Sequence, residues 1–327
     1  MRIRRLAVWG AGLVVLGIML LAGAYGFSRW LTRDAVEVPD YEASAERGSL
    51  IFAAAGCLGC HTASGPDAEP LAGGRVLATP FGTFHGPNIT PDPEHGIGGW
   101  TDDDFLMALR YGVAPDGGDY YPVFPYTSFT AMTVEDMLDL KAYLFAQAPV
   151  ARPNMPHEVG FPFSIRQLVT FWKLLNFRAG PLAPELDPEP ERDEAWHRGR
   201  YLATALAHCG ECHTPRNGMG AAIPELTFAG TAEGPTGDPI PNITPHRETG
   251  IGGWSEGDLA FFLQSGMTPS GDFAGGEMSE VIRGTSQLPA EDRAAIARYV
   301  MSLPPIPNQV GPPRPAAQES GGGEAWD

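Results

Sequence analysis

All four cysteines of the chain fall in two copies of one pattern, Cys57-Leu58-Gly59-Cys60-His61 and Cys209-Gly210-Glu211-Cys212-His213. Two thiols three residues apart on a helical turn can form thioethers with both vinyl groups of one porphyrin. The adjacent histidine then lies under the ring with its imidazole within reach of iron, so Cys-x-x-Cys-His is the attachment signature of c-type haem. On this reading Cys57, Cys60 and His61 hold one haem, and Cys209, Cys212 and His213 hold a second. Zinc needs four ligands, and each motif offers three. A thioredoxin-like dithiol needs a βαβ setting that the sequence lacks. A disulfide within Cys-x-x-Cys closes too small a loop to stabilise much.

Each iron has a sixth position, and a thioether sulfur there raises the reduction potential. Of the ten methionines, Met278 stands in the Gly-rich stretch Gly275-Gly276-Glu277-Met278, read as a loop able to bring sulfur over the second haem. Met267 and Met219 rank behind it. Counting back from the last helix of the first copy, Phe124 falls at about the place of Met278. The nearest thioether is Met132, the expected sixth ligand of the first haem. The alternative is a first haem whose sixth position is weakly filled or open. His85, Glu94 and His95 lie in the first domain's loop, where they could serve as distal groups of an open haem, but they read rather as solvated side chains.

The elements that must position these groups are themselves repeated. Pro87-Asn88-Ile89-Thr90-Pro91 returns as Pro241-Asn242-Ile243-Thr244-Pro245, and Gly96-Ile97-Gly98-Gly99-Trp100 as Gly250-Ile251-Gly252-Gly253-Trp254, both at an offset of 154 residues. The cysteine motifs recur at 152. Three blocks in the same order mean two copies of one domain. Within each copy, short helices alternate with irregular loops, and no alternating strand run stands out. Helices are expected from 41 to 55, after the Thr101 and Thr133 caps, from 194 to 207, after the Ser255 cap, and from 290 to 302. Such small all-α domains hold too little regular structure for a core of their own, so something else must fill them.

The boundaries that follow are 1–30 for an N-terminal anchor, 41–150 and 191–303 for the two domains, 151–190 for a linker and 304–327 for a mobile Pro- and Gly-rich tail. The linker contains Ile165, Leu168, Val169, Trp172 and Leu175 at helical spacing, widened by Phe171, Leu174 and Phe177. The wide apolar face favours a helix buried between the domains over one resting on a membrane or a partner.

Residues 6–27 carry no charge and follow Arg2, Arg4 and Arg5. A run of 22 residues suits an uncleaved spanning helix better than a signal-peptide core, and the arginines place the rest of the chain outside the cytoplasm. A cleaved signal ending near Ala22-Gly23-Ala24 is the alternative. The formal net charge is −17, which argues against nucleic acid as a partner and favours basic partner surfaces.

With these residues in place, the chain resembles the membrane-bound cytochrome c subunits of periplasmic alcohol, gluconate and related dehydrogenases. The resemblance runs from about Ala43 to Leu303. It rests on Cys57-x-x-Cys60-His61-Thr62, Pro87-Asn88-Ile89-Thr90-Pro91, Gly96 to Trp100, Phe124-Pro125-Tyr126-Thr127-Ser128 and His208-Cys209-Gly210-Glu211-Cys212-His213-Thr214-Pro215-Arg216-Asn217. It implies cytochrome c folds and electron transfer from a catalytic partner toward the respiratory chain. With the repeat, the two cysteine motifs and the 6–27 run, the expectation is two tandem all-α cytochrome c-like domains with two covalently bound haem c groups, after an N-terminal transmembrane helix. The protein would sit in a bacterial inner membrane as a single-pass protein with its haem domains in the periplasm. It would relay electrons from a dehydrogenase subunit or other redox protein toward the respiratory chain, with no substrate chemistry of its own. Many of those subunits carry three haems, whereas this chain has motifs for two. Some have methionine where Phe124 stands. The reading from another class is a di-haem redox enzyme, peroxidase-like or thiosulfate-oxidising, with one open haem.

Overall fold

A computed structural model describes residues 36–180, 189–234 and 237–311, together with residues 17, 19, 20 and 22–27. In the first repeat, α1 (Ala45–Ala54) starts at Ser44, whose side chain accepts from the Arg47 amide, and leads into the short α2 (Cys57–His61). A hairpin of β1 (Val76–Thr79) and β2 (Gly82–His85) follows. The capping box expected at Thr101 opens α3 (Asp102–Tyr111): Thr101 and Asp104 each bond the other's amide. Then come α4 (Tyr126–Phe129) and α5 (Val134–Phe145), the latter capped by Thr133.

The connecting segment adds β3 (Glu158–Val159), which pairs antiparallel with β2, and α6 (Leu168–Asn176). The second repeat begins with α7 (Glu194–Tyr201), capped by Asp193 and continuing into a π-helical turn at Leu202–Leu206. It proceeds through α8 (Gly210–His213), α9 (Glu256–Ser265), α10 (Glu277–Thr285) and α11 (Ala290–Met301). The Ser255–Asp258 box opens α9 just as Thr101–Asp104 opens α3.

Each repeat is built on one close helix crossing. α1 meets α5 at Gly48 and α7 meets α11 at Gly199. A Cβ at either glycine would run into a backbone carbonyl of the facing helix, Asp139 or Ala295. Contact this close sets the helices to enclose one apolar cluster. That cluster is continuous across both repeats, from Phe52, Leu106, Phe129 and Met137 to Leu202, Leu206, Phe228 and Ile296.

Four expectations change. The hairpin β1–β2 with β3 makes a three-stranded sheet, in strands too short for alternation to register. Met278 lies in the first turn of α10 rather than in a loop. Residues 304–311 are held rather than loose, because Asn242 Nδ2 donates to Ile306 O at 2.8 Å and Asn308 Nδ2 to Ala229 O at 2.9 Å. The second repeat therefore extends past 303, and the rest of the tail lies outside the described residues.

The largest change concerns α6. It buries Val169, Thr170 and Lys173, while Ile165, Leu168, Leu174 and Leu175 are exposed. Lys173 wins the inner face because it meets Asp119 and the carbonyls of Tyr111 and Gly112, which no leucine could satisfy. Of the apolar run 6–27, the described residues are helical, and the remainder of the expected spanning helix lies outside them. Among the described residues no helix is long and apolar enough to cross a membrane.

Asp139 ties α5 to the start of α1. Its buried carboxylate accepts from Arg47 Nε at 2.7 Å, Ser44 N at 2.6 Å and Tyr41 Oη at 2.8 Å. Burial pushes its pKa upward, but these donors outweigh burial and hold it below the ordinary carboxylate value. A group with a depressed folded-state pKa stabilises above its unfolded pKa, and that stability is lost as pH falls through the folded value. In urea titrations, the stability difference between the native chain and Asp139→Asn should be full at neutral pH. It should shrink below about pH 4. A difference independent of pH would remove Asp139 from the account.

Candidate functional site

Each cysteine motif begins where a helix ends. After α1 the chain turns through Gly56, in the left-handed region at φ 61°, and starts α2. In the second repeat the same place is taken by His208 at φ 39°. The loop after each motif then folds back over the histidine. Gly73 N donates to His61 O at 2.8 Å and Gly230 N to His213 O at 2.7 Å. Both glycines have positive φ, and a Cβ would strike backbone on the returning strand. Leu71 (φ 62°) and Phe228 (φ 63°) are also left-handed, a costly conformation for such side chains, and both are buried.

That strained loop delivers a proline carbonyl to each imidazole. His61 Nδ1 lies 2.8 Å from Pro87 O, and His213 Nδ1 2.8 Å from Pro241 O. A carbonyl can only accept, so Nδ1 carries the proton and Nε2 keeps its lone pair for a metal. Burial lowers both imidazole pKa values, against the upward pull of the proline carbonyl, and favours this neutral form. Burial also pushes the Cys57 and Cys209 thiols up to about 12 and Cys212 to about 11. A working dithiol needs the opposite shift. Among the described residues no three His, Cys, Asp or Glu are grouped to hold a bare metal ion. The donor set thus fits a porphyrin iron in each repeat.

The residues that hold the proline carbonyls were visible in the sequence only as a repeat. Asn88 Oδ1 accepts from Thr90 N at 2.9 Å and Thr90 Oγ1 at 2.7 Å, and Asn242 does the same for Thr244 at 2.8 and 2.7 Å. All four side chains are buried. Each asparagine amide reaches the chain beyond the last helix of its repeat, Val150 O or Ile306 O, both at 2.8 Å. Identical Pro-Asn-Ile-Thr-Pro blocks with buried polar side chains were the available signal.

The two motifs also meet each other's repeat. Glu211, inside the second motif, accepts from Thr127 Oγ1 at 2.7 Å and Ser128 Oγ at 2.8 Å on α4, and pairs with Arg216. Burial works against its charge, but Arg216 and the two hydroxyls hold the Glu211 carboxyl below its usual range. On the other side, Gly284 of α10 packs on the Ala53 carbonyl, and Glu277 bonds Arg75 at 2.7 Å. His208 Nε2 sits 3.2 Å from Ala55 O, and its ring meets Phe129 edge-on.

The candidate sixth ligands differ between repeats. The loop bonds Tyr120 N→Gly112 O and Ala274 N→Gly266 O, both 2.8 Å, are counterparts. Four residues beyond them stand Phe124 and Met278, both partly buried against the core. Met132 directly precedes the cap of α5, as Leu288 precedes that of α11, and both are buried. Met219 is exposed, and Met267 forms a bridge with Phe273. His85, expected to be solvated, is buried; among the described residues neither ring nitrogen has a hydrogen-bond partner, and Glu158 Oε1 lies 3.6 Å from Nε2. His95 remains near the surface beside Glu94.

Paired thiols, a proline-held imidazole and a short helical frame, all duplicated, define a c-type cytochrome. The family model for cytochrome c matches residues 45–146. A diheme c-type cytochrome of Cereibacter sphaeroides is 47% identical over 301 residues, covering 89% of this chain and 97% of that protein. The fructose dehydrogenase cytochrome subunit of Gluconobacter japonicus is 41% identical over 263 residues, 80% of this chain and 53% of the subunit. The gluconate 2-dehydrogenase cytochrome c subunit of Pantoea cypripedii is 37% identical over 273 residues, 80% and 60% respectively. The chain thus spans little more than half of those two subunits. It belongs to the cytochrome c family that these diheme and dehydrogenase-subunit proteins share. It is an electron-transfer protein with two covalently bound haem c groups.

Replacing Asn242 with Ala strands the Thr244 amide and removes the acceptor of its hydroxyl and the 2.8 Å bond to Ile306 O, leaving Ile306 held by Thr244 Oγ1 alone. The expected cost is about 3 kcal/mol in denaturant unfolding of the holoprotein, with a shifted potential at one haem only. Unfolding unchanged within error would show that the Asn-Thr knot does not support the site.

Proposed function

We propose that Cys57 and Cys60 hold one haem with His61 as proximal ligand, and Cys209 and Cys212 the other with His213. Met278 takes the sixth position in the second repeat and Met132 in the first. When bound, each haem supplies one-electron iron chemistry. The polypeptide fixes the imidazoles through Pro87 and Pro241, excludes water with the shared apolar cluster, and locks the repeats together through Glu211. The observation that carries this reading is the pair of Nδ1-to-proline contacts, which fixes the ligating tautomer twice in one chain.

The protein then relays electrons between a dehydrogenase partner and the respiratory chain, as the dehydrogenase subunits among its relatives suggest. The two domains correspond to about 41–150 and from 191 to at least 308, linked by the segment containing α6. The 6–27 run anchors the chain, with the haem domains outside the cytoplasm. The acidic surface favours a basic docking face and salt-sensitive association. One observation favours a second reading for the first haem: Phe124, not a methionine, is the counterpart of Met278. That leaves room for an open iron and redox catalysis.

A pyridine haemochrome assay should give two haems per chain, and Cys57→Ala or Cys209→Ala should halve that number. Met278→Ala should remove the sulfur-to-iron charge-transfer band of one haem, and Met132→Leu that of the other. A first-haem spectrum unaltered by Met132→Leu, with rapid carbon monoxide binding in the reduced protein, would replace Met132 with the open-site reading.

A further inference from the structure

The segment 161–178 is amphipathic in the wrong sense for water. Its inner face carries buried polar groups beside Val169: Lys173 Nζ donates to Tyr111 O at 2.7 Å, Gly112 O at 2.9 Å and Asp119 Oδ1 at 2.6 Å, and Thr170 bonds Asp119. Its outer face is apolar. Phe161 is 83% and Leu175 75% exposed, with Phe163, Ile165, Leu168 and Leu174 alongside. A surface helix normally shows the reverse arrangement, and a contiguous patch of this kind marks a contact surface.

We propose that this face lies in the headgroup region of an anionic lipid bilayer. Charge and a second apolar segment favour lipid over a protein partner. Between residues 160 and 184 there is no Asp or Glu, although the whole chain carries −17. Arg178 is exposed at the end of the apolar face, while Arg166 is half-buried with its Nε donating to Asp119 O at 2.7 Å. An apolar face with a cationic and no anionic neighbour on its own segment matches an anionic interface. The sequence also holds the uncharged run 6–27 behind Arg2, Arg4 and Arg5. Two separate membrane-directed segments in one chain fix both attachment and orientation, whereas one fixes attachment alone.

The orientation has a consequence for the haem sites. Trp172 Nε1 donates to Met219 O at 2.8 Å, tying α6 to the loop that follows the second motif. The Phe81 ring lies against Gly220 in the same loop and meets Phe163 edge-on at 5.0 Å. Exposed Met219 extends the patch, so lipid contact turns the loop next to His213 toward the bilayer.

The test uses the full-length holoprotein in vesicles of phosphatidylglycerol and phosphatidylethanolamine. In the holoprotein the four native cysteines are thioethers, so a nitroxide reacts only with an introduced thiol, and the unsubstituted chain is the labelling control. Labels are placed at Leu175→Cys, at Leu168→Cys, and at Glu291→Cys, an exposed position on α11. At 175 and 168 the oxygen collision rate should rise several-fold relative to that of a water-soluble nickel chelate, and phosphatidylcholine vesicles should weaken the effect. At 291 the nickel chelate should dominate. Labels at 175 and 168 that meet nickel as freely as the label at 291 would overturn the proposal. So would shielding from both reagents, in vesicles alone or only after a catalytic subunit is added, since that would assign the face to a protein contact.

Discussion

The interaction on which the structure depends is a hydrogen bond made twice: histidine Nδ1–H to the carbonyl of a proline 26 or 28 residues further on. It selects one tautomer, aims the other ring nitrogen and joins the cysteine motif to the returning loop. Neither imidazole could hold its orientation on α2 or α8 alone, because these helices are only five and four residues long. The proline must therefore be held from behind, and Asn88–Thr90 and Asn242–Thr244 do so through fully paired buried groups. A network of this kind is stable only when every member is satisfied, which accounts for the identical five-residue blocks in two copies whose surroundings have diverged.

The same economy appears between the repeats. Their apolar cluster is continuous; the second cysteine motif rests on α4 of the first repeat through Glu211, and α1, the helix that leads into the first motif, packs on α10 at Gly284. A carboxylate kept ionised at such an interface fixes geometry more than it adds stability, since removing it from water offsets much of its pairing energy. The arrangement sets the two attachment sites close together, which is what transfer between them requires. The departures from symmetry include His208 for Gly56, at this interface, and Phe124 for Met278, at corresponding places beside the core. The two haems therefore occupy unequal surroundings.

Much of this was legible in the sequence because it rests on local chemistry. The cysteine motifs, the caps at Thr101, Thr133 and Ser255, and the repeat itself are short-range patterns with one physical meaning each. What could not be read depended on distant partners. Lys173 turns inward only because Asp119 and two carbonyls await it, so hydrophobic periodicity chose the wrong face of α6. The strands at 76–85 and 158–159 are too short for a period of two to show, and β3 pairs across more than seventy residues. Glycines at 275 and 276 suggested a loop around Met278, although the second of them in fact precedes the first turn of a helix. Residues 304–311 read as tail from composition, and only Asn242 and Asn308 show that they close the second repeat.

The central claim is that porphyrin is covalently bound in both repeats and completes each core. The most direct measurement is the intact mass of the chain, purified from an export-competent host with a haem-ligation system, after denaturation, reduction and exposure to a thiol alkylating reagent. The account predicts the polypeptide mass plus two haems, with no cysteine alkylated. The bare polypeptide mass with four alkylated cysteines, from protein that was folded before denaturation, would contradict it.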